Sequence, residues 1–572
     1  MVRLWPALVV LVDAAELQGQ PGPRARKPRY GLRGWALPWC SRAVGRRGVL
    51  MARWMLLAAA LLAGPVQAQQ APAPLKVLRV APSADLTQLD PGFASIVITR
   101  IYGLMVFETL FAWDSKLQPK PQMVASWSTA PDGLRWRFTL RPGLRFHDGQ
   151  RVTTADVIPS LKRWMERDVV GQKLAAAVTG LAPIDTDSFE ISLSKPYPAM
   201  LFSLGSGIGQ VPVIMRAADL QGDPAKPIIA AIGSGPFRFN HALRVSGALT
   251  VFDRNPDYVP RDEPPDGLAG GRRVKVDRVE WRVIPDPSTA AAALQAGEID
   301  LWEQPALELL PVIRRNPNIR IQKLTDLSNQ TMLRPNALYP PFNDPRARLA
   351  LALIVNQADI MTAAFGEPSN WAACRSYFIC GGPFGTEAGA EALQPDVARA
   401  KALLAEAGYK GEALVFPSTR EIAWIGQMAE VVADEMKRAG MNVEIAWGDW
   451  GTTAGRQSNR GAPDKGGWNL FATGASGPTM HSPLTNIGTN MACNGRNFPG
   501  WPCDEAAERL RQAFLDADDA ARPAALEALH RYLAEVQPYI VMGQYNQPVA
   551  MRAGVSGFLE SPVILYWNLD KN

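Results

Sequence analysis

The chain has 572 residues, 47% of them apolar and 20% charged, which suits a folded globular protein of two to four domains. Its 60 Lys+Arg against 54 Asp+Glu give a net charge of +6 and a pI near 9.0. Ten of those basic side chains and two of the acids (Asp13, Glu16) fall in residues 1–68, which leaves 50 basic against 52 acidic residues, a net of −2, and removes the main support for a nucleic-acid partner.

Residues 51–68 read as a secretory signal peptide. Met51-Ala52-Arg53 is a short charged start, 54–64 is an apolar run of eleven residues, and Val66-Gln67-Ala68 is a small-x-small cleavage site. Met51 is the expected start, and residues 1–50 are read as an upstream over-extension. A twin-arginine signal at Arg46-Arg47 is the competing reading, although its flanks fit poorly. The cleavage point carries no Cys, so a lipoprotein is not expected, and no other apolar run reaches the roughly 18 residues of a membrane helix. The mature protein is expected to begin near Gln69 and to be soluble in the periplasm. There the remaining cysteines, Cys374, Cys380, Cys493 and Cys503, form an even set in an oxidising compartment. Three pairings are open; the local loops Cys374–Cys380 and Cys493–Cys503 are favoured, because each closes a segment that can turn back on itself. A metal site competes, but neither pair has C-x2-C spacing with nearby His.

Residues 76–80 read as the first strand of the mature fold, and 95–110 are largely apolar with helical spacing. The alternation across 134–140 is that of a half-buried strand. Arg141-Pro142-Gly143 breaks it, 144–146 resumes it, and His147-Asp148-Gly149 turns the chain. Thr154 is the expected N-cap of the next helix, with Asp156 in its first turn to suit the helix dipole. Further on, 279–284 is strand-like and 287–296 is an Ala-rich helix stopped by Gly297. Helices are also expected to open near 341–350 and to cover 400–407, 424–438, 504–514 and 519–536. Strands are expected at 441–446 and 538–541.

Between Leu117 and Arg163 the order of residues carries more than secondary structure. Pro121, Ser126-Trp127, Asp132-Gly133, Trp136, Phe138, Leu140-Arg141, Gly143, Phe146, Asp148-Gly149, Asp156-Val157, Ser160-Leu161 and Arg163 resemble the run "P.LA.SW....DG..W.F.LR.GV.F.DG......DV..SL.R" of the family 5 extracytoplasmic solute-binding proteins. These are the peptide-, opine- and nickel-binding receptors of ABC importers. Leu89-Asp90-Pro91, Gly233-Ser234-Gly235-Pro236-Phe237, Gly297-Glu298-Ile299-Asp300 and Pro341 to Ala350 match further words of that family.

The resemblance implies an α/β, type II periplasmic-binding-protein fold: two lobes around a ligand cleft with an extra inserted domain, the three-domain cluster C type. The expected division is 75–116, 232–325 and 544–572 for the first lobe, 117–231 for the inserted domain and 326–543 for the second lobe. It also implies a monomeric receptor that closes over a peptide-like or small organic solute and hands it to ABC permease subunits in the inner membrane, with no cofactor and no catalysis. Candidate ligand contacts carried over from peptide-binding relatives are Ser95, Ile96 and Val97 after "LDP", and Thr473, Gly474, Ala475 and Ser476 after the apolar stretch holding Asn469. Relatives place an Asp where Ala475 stands, and an ammonium buried without its carboxylate is costly, so this departure argues against an ordinary dipeptide site.

From residue chemistry, Arg420, Trp424, Asp449, Trp450, Arg456 and Arg460 are further candidates. An Arg fork suits carboxylate or phosphate, and a Trp face suits rings or cations. Trp424 is read equally as core, Arg456 and Arg460 as solvated, and Arg420 as the strongest of the set. Of the four histidines, His147 belongs to a structural turn, His530 to a solvated helix face, and His481 is the outside candidate for metal or haem. No G-x-S-x-G, H-E-x-x-H or Walker A pattern occurs. A nickel or haem binder of the same fold, a secreted hydrolase and a chaperone-like periplasmic protein are the rival readings.

Overall fold

The computed structural model describes residues 74–572, apart from 224, 225, 230, 231, 495, 496 and 519. The expected leader, its cleavage point near Ala68 and Cys40 lie outside the described residues.

Val77–Ala81 is the centre of a seven-stranded mixed sheet whose order is Phe237–Phe239, Leu249–Arg254, Arg278–Arg282, Val77–Ala81, Leu301–Trp302, Pro548–Arg552, Ile319–Lys323. Val77–Ala81 runs parallel to both its neighbours, and the remaining pairs are antiparallel. Alternate residues of these strands bury Leu78, Val80, Phe252, Val279 and Trp281 in one core with the helix Val97–Val106. The turn at 233–235 is held against the end of that helix. A Cβ on Gly233 would lie 1.9 Å from the Val106 carbonyl oxygen, so no larger residue fits there.

A second, four-stranded antiparallel sheet has the order Trp371–Ala372, Ile540–Tyr545, Asn329–Pro335, Leu470–Ala475. The parallel pair Leu414–Ser418 and Val443–Trp447 abuts it, since the Val415 N–H donates to Asn469 Oδ1 at 2.8 Å. The helices Pro345–Ile354, Gln357–Phe365 and Ala423–Arg438 bury their apolar faces here. A third antiparallel sheet, Val124–Thr129, Arg135–Leu140, Ser188–Leu193, Val178–Pro183, packs Phe138, Phe189 and Ile191 against the helix Thr154–Arg167. Among the described residues no single helix is long and apolar enough to cross a membrane; the bent pair Pro345–Ile354 and Gln357–Phe365 passes by length and composition, but its residues are largely buried in the core.

Several expectations shift by a residue or two at element ends. The N-cap of Thr154–Arg167 is Thr153 rather than Thr154, because the Asp156 carboxylate accepts from the Thr153 N–H at 3.0 Å and closes a capping box. Residues 144–146 do not resume a strand; Arg145 makes one isolated bridge to Arg151 across the Gly149 turn.

His530 is a larger correction. It was expected on a solvated face and is instead fully buried. The loop tied by the Cys374–Cys380 disulfide covers it: the Tyr377 N–H donates to Nε2 at 3.0 Å, and Nδ1 meets the Ala388 carbonyl at 2.7 Å. A second disulfide joins Cys493 to Cys503. His147 is a structural turn residue, with Nε2 3.0 Å from the Gly235 carbonyl oxygen. His481 caps the short helix Gly477–Met480 and is 2% exposed, ringed by Phe202 and Phe384.

Two words of the sequence resemblance are tied by one ion pair. The Arg163 guanidinium donates to both Asp90 oxygens, at 3.0 and 2.6 Å, and Asp90 also accepts from the Gly92 and Ile228 N–H groups. Asp90 is fully buried. Arg163→Ala would therefore strand a buried carboxylate and is expected to lower the unfolding free energy by about 3 kcal/mol or more; urea unfolding with an unchanged denaturant slope checks this. The histidines yield a pH prediction. Burial pushes the His481 imidazole down to about 4, so below pH 6.5 the unfolded chain binds a proton that the folded chain does not. Stability contributed by this residue falls as pH drops, and wild type should lose about 2 kcal/mol relative to His481→Phe from pH 7 to pH 5. A pH-independent difference in urea unfolding would contradict it.

Candidate functional site

Between the seven-stranded and the four-stranded sheets lies a cleft with two adjoining chambers, of ≈350 and ≈740 Å3, which share Gln304, Trp424, Tyr545 and Gln547. The smaller, inner chamber is built from both sides. Val97 and Ile101 face it one helical turn apart on Val97–Val106. On the other side, Thr473, Gly474, Ala475 and Ser476 line it from the end of Leu470–Ala475.

That strand is the edge of its sheet. Gly474 is in register with Thr331 and Ala475 with Gln330, so one row of backbone groups faces Asn329–Pro335 and the other faces away from the sheet. Gly474 also makes room for an aromatic wall: a Cβ there would stand 3.1 Å from the Trp424 ring and 3.3 Å from the Tyr545 hydroxyl. Trp424 and Tyr545 have centroids 5.7 Å apart, and Phe365 stacks on Tyr545 at 4.3 Å. Burial pushes the Tyr545 phenol up to about 12, so it stays a neutral hydroxyl. Trp450 opens the helix Trp450–Arg456; its N–H donates to the Glu421 carboxylate at 2.8 Å, and Asp449 caps the helix by accepting from the Thr452 N–H.

Thus Val97, Trp424, Trp450, Thr473, Gly474, Ala475 and Ser476 meet in one chamber. Ser95 and Ile96 are exposed just ahead of the helix and do not line it. Asn469 is buried beneath the strand, where it joins the four-stranded sheet to the parallel pair through Val415. Arg420 points away: it is exposed, pairs with Glu430 at 3.3 Å and lies over the Trp447 ring at 4.1 Å. Arg456 donates to the Gly466 and Gly467 carbonyls, and Arg460 lies over Trp501. His481 lines a separate cavity of ≈310 Å3 with Phe202, Phe384 and Phe514. Among the described residues, the one His/Cys/Asp/Glu group close enough to share a metal is Cys374, Cys380 and Glu387, and both its sulfurs are committed to a disulfide.

Sequence reasoning missed Glu303, Gln304, Tyr545, Gln547 and the segment Pro562-Val563-Ile564, all of which line the inner chamber. Glu303 carried the one available signal, an acid directly after the apolar Leu301-Trp302 strand. It is 4% exposed, accepts from the Ser83 N–H at 2.7 Å and from the Tyr566 hydroxyl, and burial raises its carboxyl above the usual range.

The model of the bacterial extracellular solute-binding proteins, family 5 middle region, matches residues 118–497. The chain is 36% identical over 534 residues to a probable peptide ABC transporter periplasmic-binding protein, y4tO, of Sinorhizobium fredii, covering 92% of this chain and 99% of that protein. Among solved structures, the binding protein AgaA of A. tumefaciens R10 in complex with agropinic acid superposes with a TM-score of 0.73 at 23% identity, over 87% of this chain and 99% of that one. A dipeptide-binding protein from Pseudoalteromonas sp. SM9913 in complex with Met-Leu gives a TM-score of 0.72 at 19% identity, over 87% and 100%. With the two-sided cleft, the mixed α/β sheets and a family match across two thirds of its length, the chain is a member of the bacterial extracellular solute-binding protein family 5.

Proposed function

We propose that this protein is the solute-capturing subunit of an ABC importer, holding a peptide-like or small organic solute between two lobes and delivering it to the membrane permease without a chemical step. The carrying observation is the inner chamber, lined from two separate sheets and floored on one side by a sheet edge. A ligand touching both sides favours the closed arrangement by the contacts it makes only there. The strand end Thr473 to Ser476, at the edge of its sheet, suits an extended backbone, as in strand addition, while the chambers take side chains.

In this reading residues 75–116, 232–325 and 544–572 form the first lobe, 117–231 the inserted domain and 326–543 the second lobe. The distribution of strands among the three sheets supports that division. The protein acts as a monomer in the periplasm after loss of the leader near Ala68. Periplasmic naming of the Sinorhizobium relative supports the location.

The reading is tested by thermal shift on residues 69–572 against di- to pentapeptides, opines, sugars, Ni2+ and haem. A ligand at 100 times its dissociation constant should add about 2.7 kcal/mol of stability. Silence across the panel, with no compaction by X-ray scattering, would overturn it. Gly474 gives a sharper check. Gly474→Val drives a side chain into Trp424 and Tyr545, and should weaken any peptide hit at least tenfold, about 1.4 kcal/mol, measured at a temperature where the ligand-free variant is folded. Calorimetric titration reads this directly.

A further inference from the structure

The charges of the cleft are one-sided. Among the described residues, Glu303 is the single Asp, Glu, Lys, Arg or His lining the inner chamber; the other lining groups are apolar, aromatic or neutral polar. No Lys or Arg among the described residues lies within ion-pair distance of Glu303, whose partners are the Tyr566 hydroxyl and the Ser83 N–H. The Ser83 hydroxyl also bonds to it, and three hydrogen bonds still leave about one of a carboxylate's roughly four acceptor sites unused. The outer chamber continues the imbalance, with Glu308, Glu367 and Glu421 against Arg314, and Arg314 is itself 3.7 Å from Glu367.

Among the described residues, Asp90, Asp300 and Glu108 are buried with cations (Arg163; Arg79 and Lys571; Arg141 and Arg272), whereas Asp168, Glu435 and Glu303 are buried without an ion pair, and of these three only Glu303 lines the inner chamber. A carboxyl beside a cavity, raised by desolvation, is returned to its charged form by a cation that enters that cavity. The facing wall is suited to the same guest. Trp424 lines the chamber from the helix Ala423–Arg438 and Tyr545 from the four-stranded sheet, and Trp450 adds a third ring to the lining.

We propose that the inner chamber is a site for a cationic amine, held by Glu303 from one side and by the Trp424–Tyr545 wall from the other, and that the solute brings no carboxylate into this chamber. The inference rests on the receptor reading above and names its substrate class. Glu303 is then the specificity-determining residue, in place of an acid at position 475. Closure brings the carboxylate and the rings onto one positive group, so the ammonium rather than the acid end of a peptide-like solute marks the correct orientation.

The experiment is isothermal titration of residues 69–572 with the dipeptide Ala-Phe, its N-acetyl form, its C-terminal amide and 1,5-diaminopentane, on wild type and Glu303→Gln. Glutamine keeps the shape and can still accept from Ser83, and its ligand-free melting curve reports folding. Wild type should lose at least 50-fold in affinity on N-acetylation and less than fivefold on C-amidation. In Glu303→Gln the N-acetylation penalty should collapse below fivefold, a change that a merely structural role for Glu303 would not produce. If the N-acetyl form binds wild type as well as the free amine does, or amidation costs more than acetylation, the amine site is overturned while the receptor reading stands. If neither the amine-bearing probes nor any member of the wider solute panel binds, the receptor reading falls and this inference falls with it. Should Glu303→Gln melt far below wild type, Tyr566→Phe, which leaves the carboxylate in place, must retain the discrimination against N-acetylation; loss there would also overturn the assignment.

Discussion

The structure depends on one long-range pairing, the antiparallel ribbon of residues 319–335 against 540–552. Ile319–Lys323 pairs with Pro548–Arg552 in the seven-stranded sheet, and Asn329–Pro335 pairs with Ile540–Tyr545 in the four-stranded sheet. Between the two ladders the Leu324 N–H donates to the Gln547 carbonyl at 3.2 Å, and Ser328 Oγ donates to Asn546 Oδ1 at 2.9 Å. Every strand of the first sheet lies at or before residue 323 or at or after 548, and every strand of the second lies between 329 and 545. The chain thus crosses from one sheet to the other and back along a single hydrogen-bonded track. Leu324, Thr325, Leu327, Asn329, Tyr545, Gln547 and Val549 of that track also line the inner chamber. The crossing track and the floor of the cleft are the same piece of backbone, so any change in angle between the sheets would be felt in the chamber.

Buried charge is the second organising force. Glu108 is fully buried and gathers Gln122, Arg141, Tyr258 and Arg272 onto one carboxylate, which ties the third sheet's approach to the seven-stranded one. Asp90 does the same for the Val97–Val106 helix through Arg163. In both cases desolvation is offset by a cation and several hydrogen bonds, the condition under which a buried ion is tolerated. Asp90, Arg141 and Arg163 of these clusters lie in the stretches that carry the sequence resemblance. Glu303 fails that pattern, and it does so beside the cavity.

Local order was readable where the pattern is local. The alternation around Trp136 and Phe138, the Ala-rich helix Pro287–Ala296 between Asp286 and Gly297, and the amphipathic helix Ala423–Arg438 are each decided within their own residues. His530 is the opposite case. Its helix looks polar by periodicity, and its cover comes from a disulfide-bound loop some 140 residues upstream, which no helical pattern records. Arg420 follows a strand end, where cleft residues often sit, and its sequence position alone makes it a candidate. Its neighbours Trp447 and Glu430 hold the guanidinium on the outer face instead. Half of the chamber came with the resemblance, at Val97 and Thr473 to Ser476, because those segments are defined by position along the chain. The other half, from Ser83, Glu303, Tyr545 and Val563, is assembled by sheet pairings across hundreds of residues.

The departure at position 475 takes its meaning from that assembly. Ala475 sits opposite Gln330 at the end of an edge strand, partly buried against an apolar cluster, a place where a carboxylate would need its own cation. Removing the acid there makes the second-sheet side of the chamber neutral, and Gly474 beside it admits aromatic rings in its stead. The negative charge of the chamber then lies wholly on the first-sheet side, at Glu303. A charged guest must therefore reach across the cleft, carboxylate on one side and rings on the other, and its binding free energy is available only when the two sides are close. Splitting the recognition of one group between two lobes makes closure and specificity a single event.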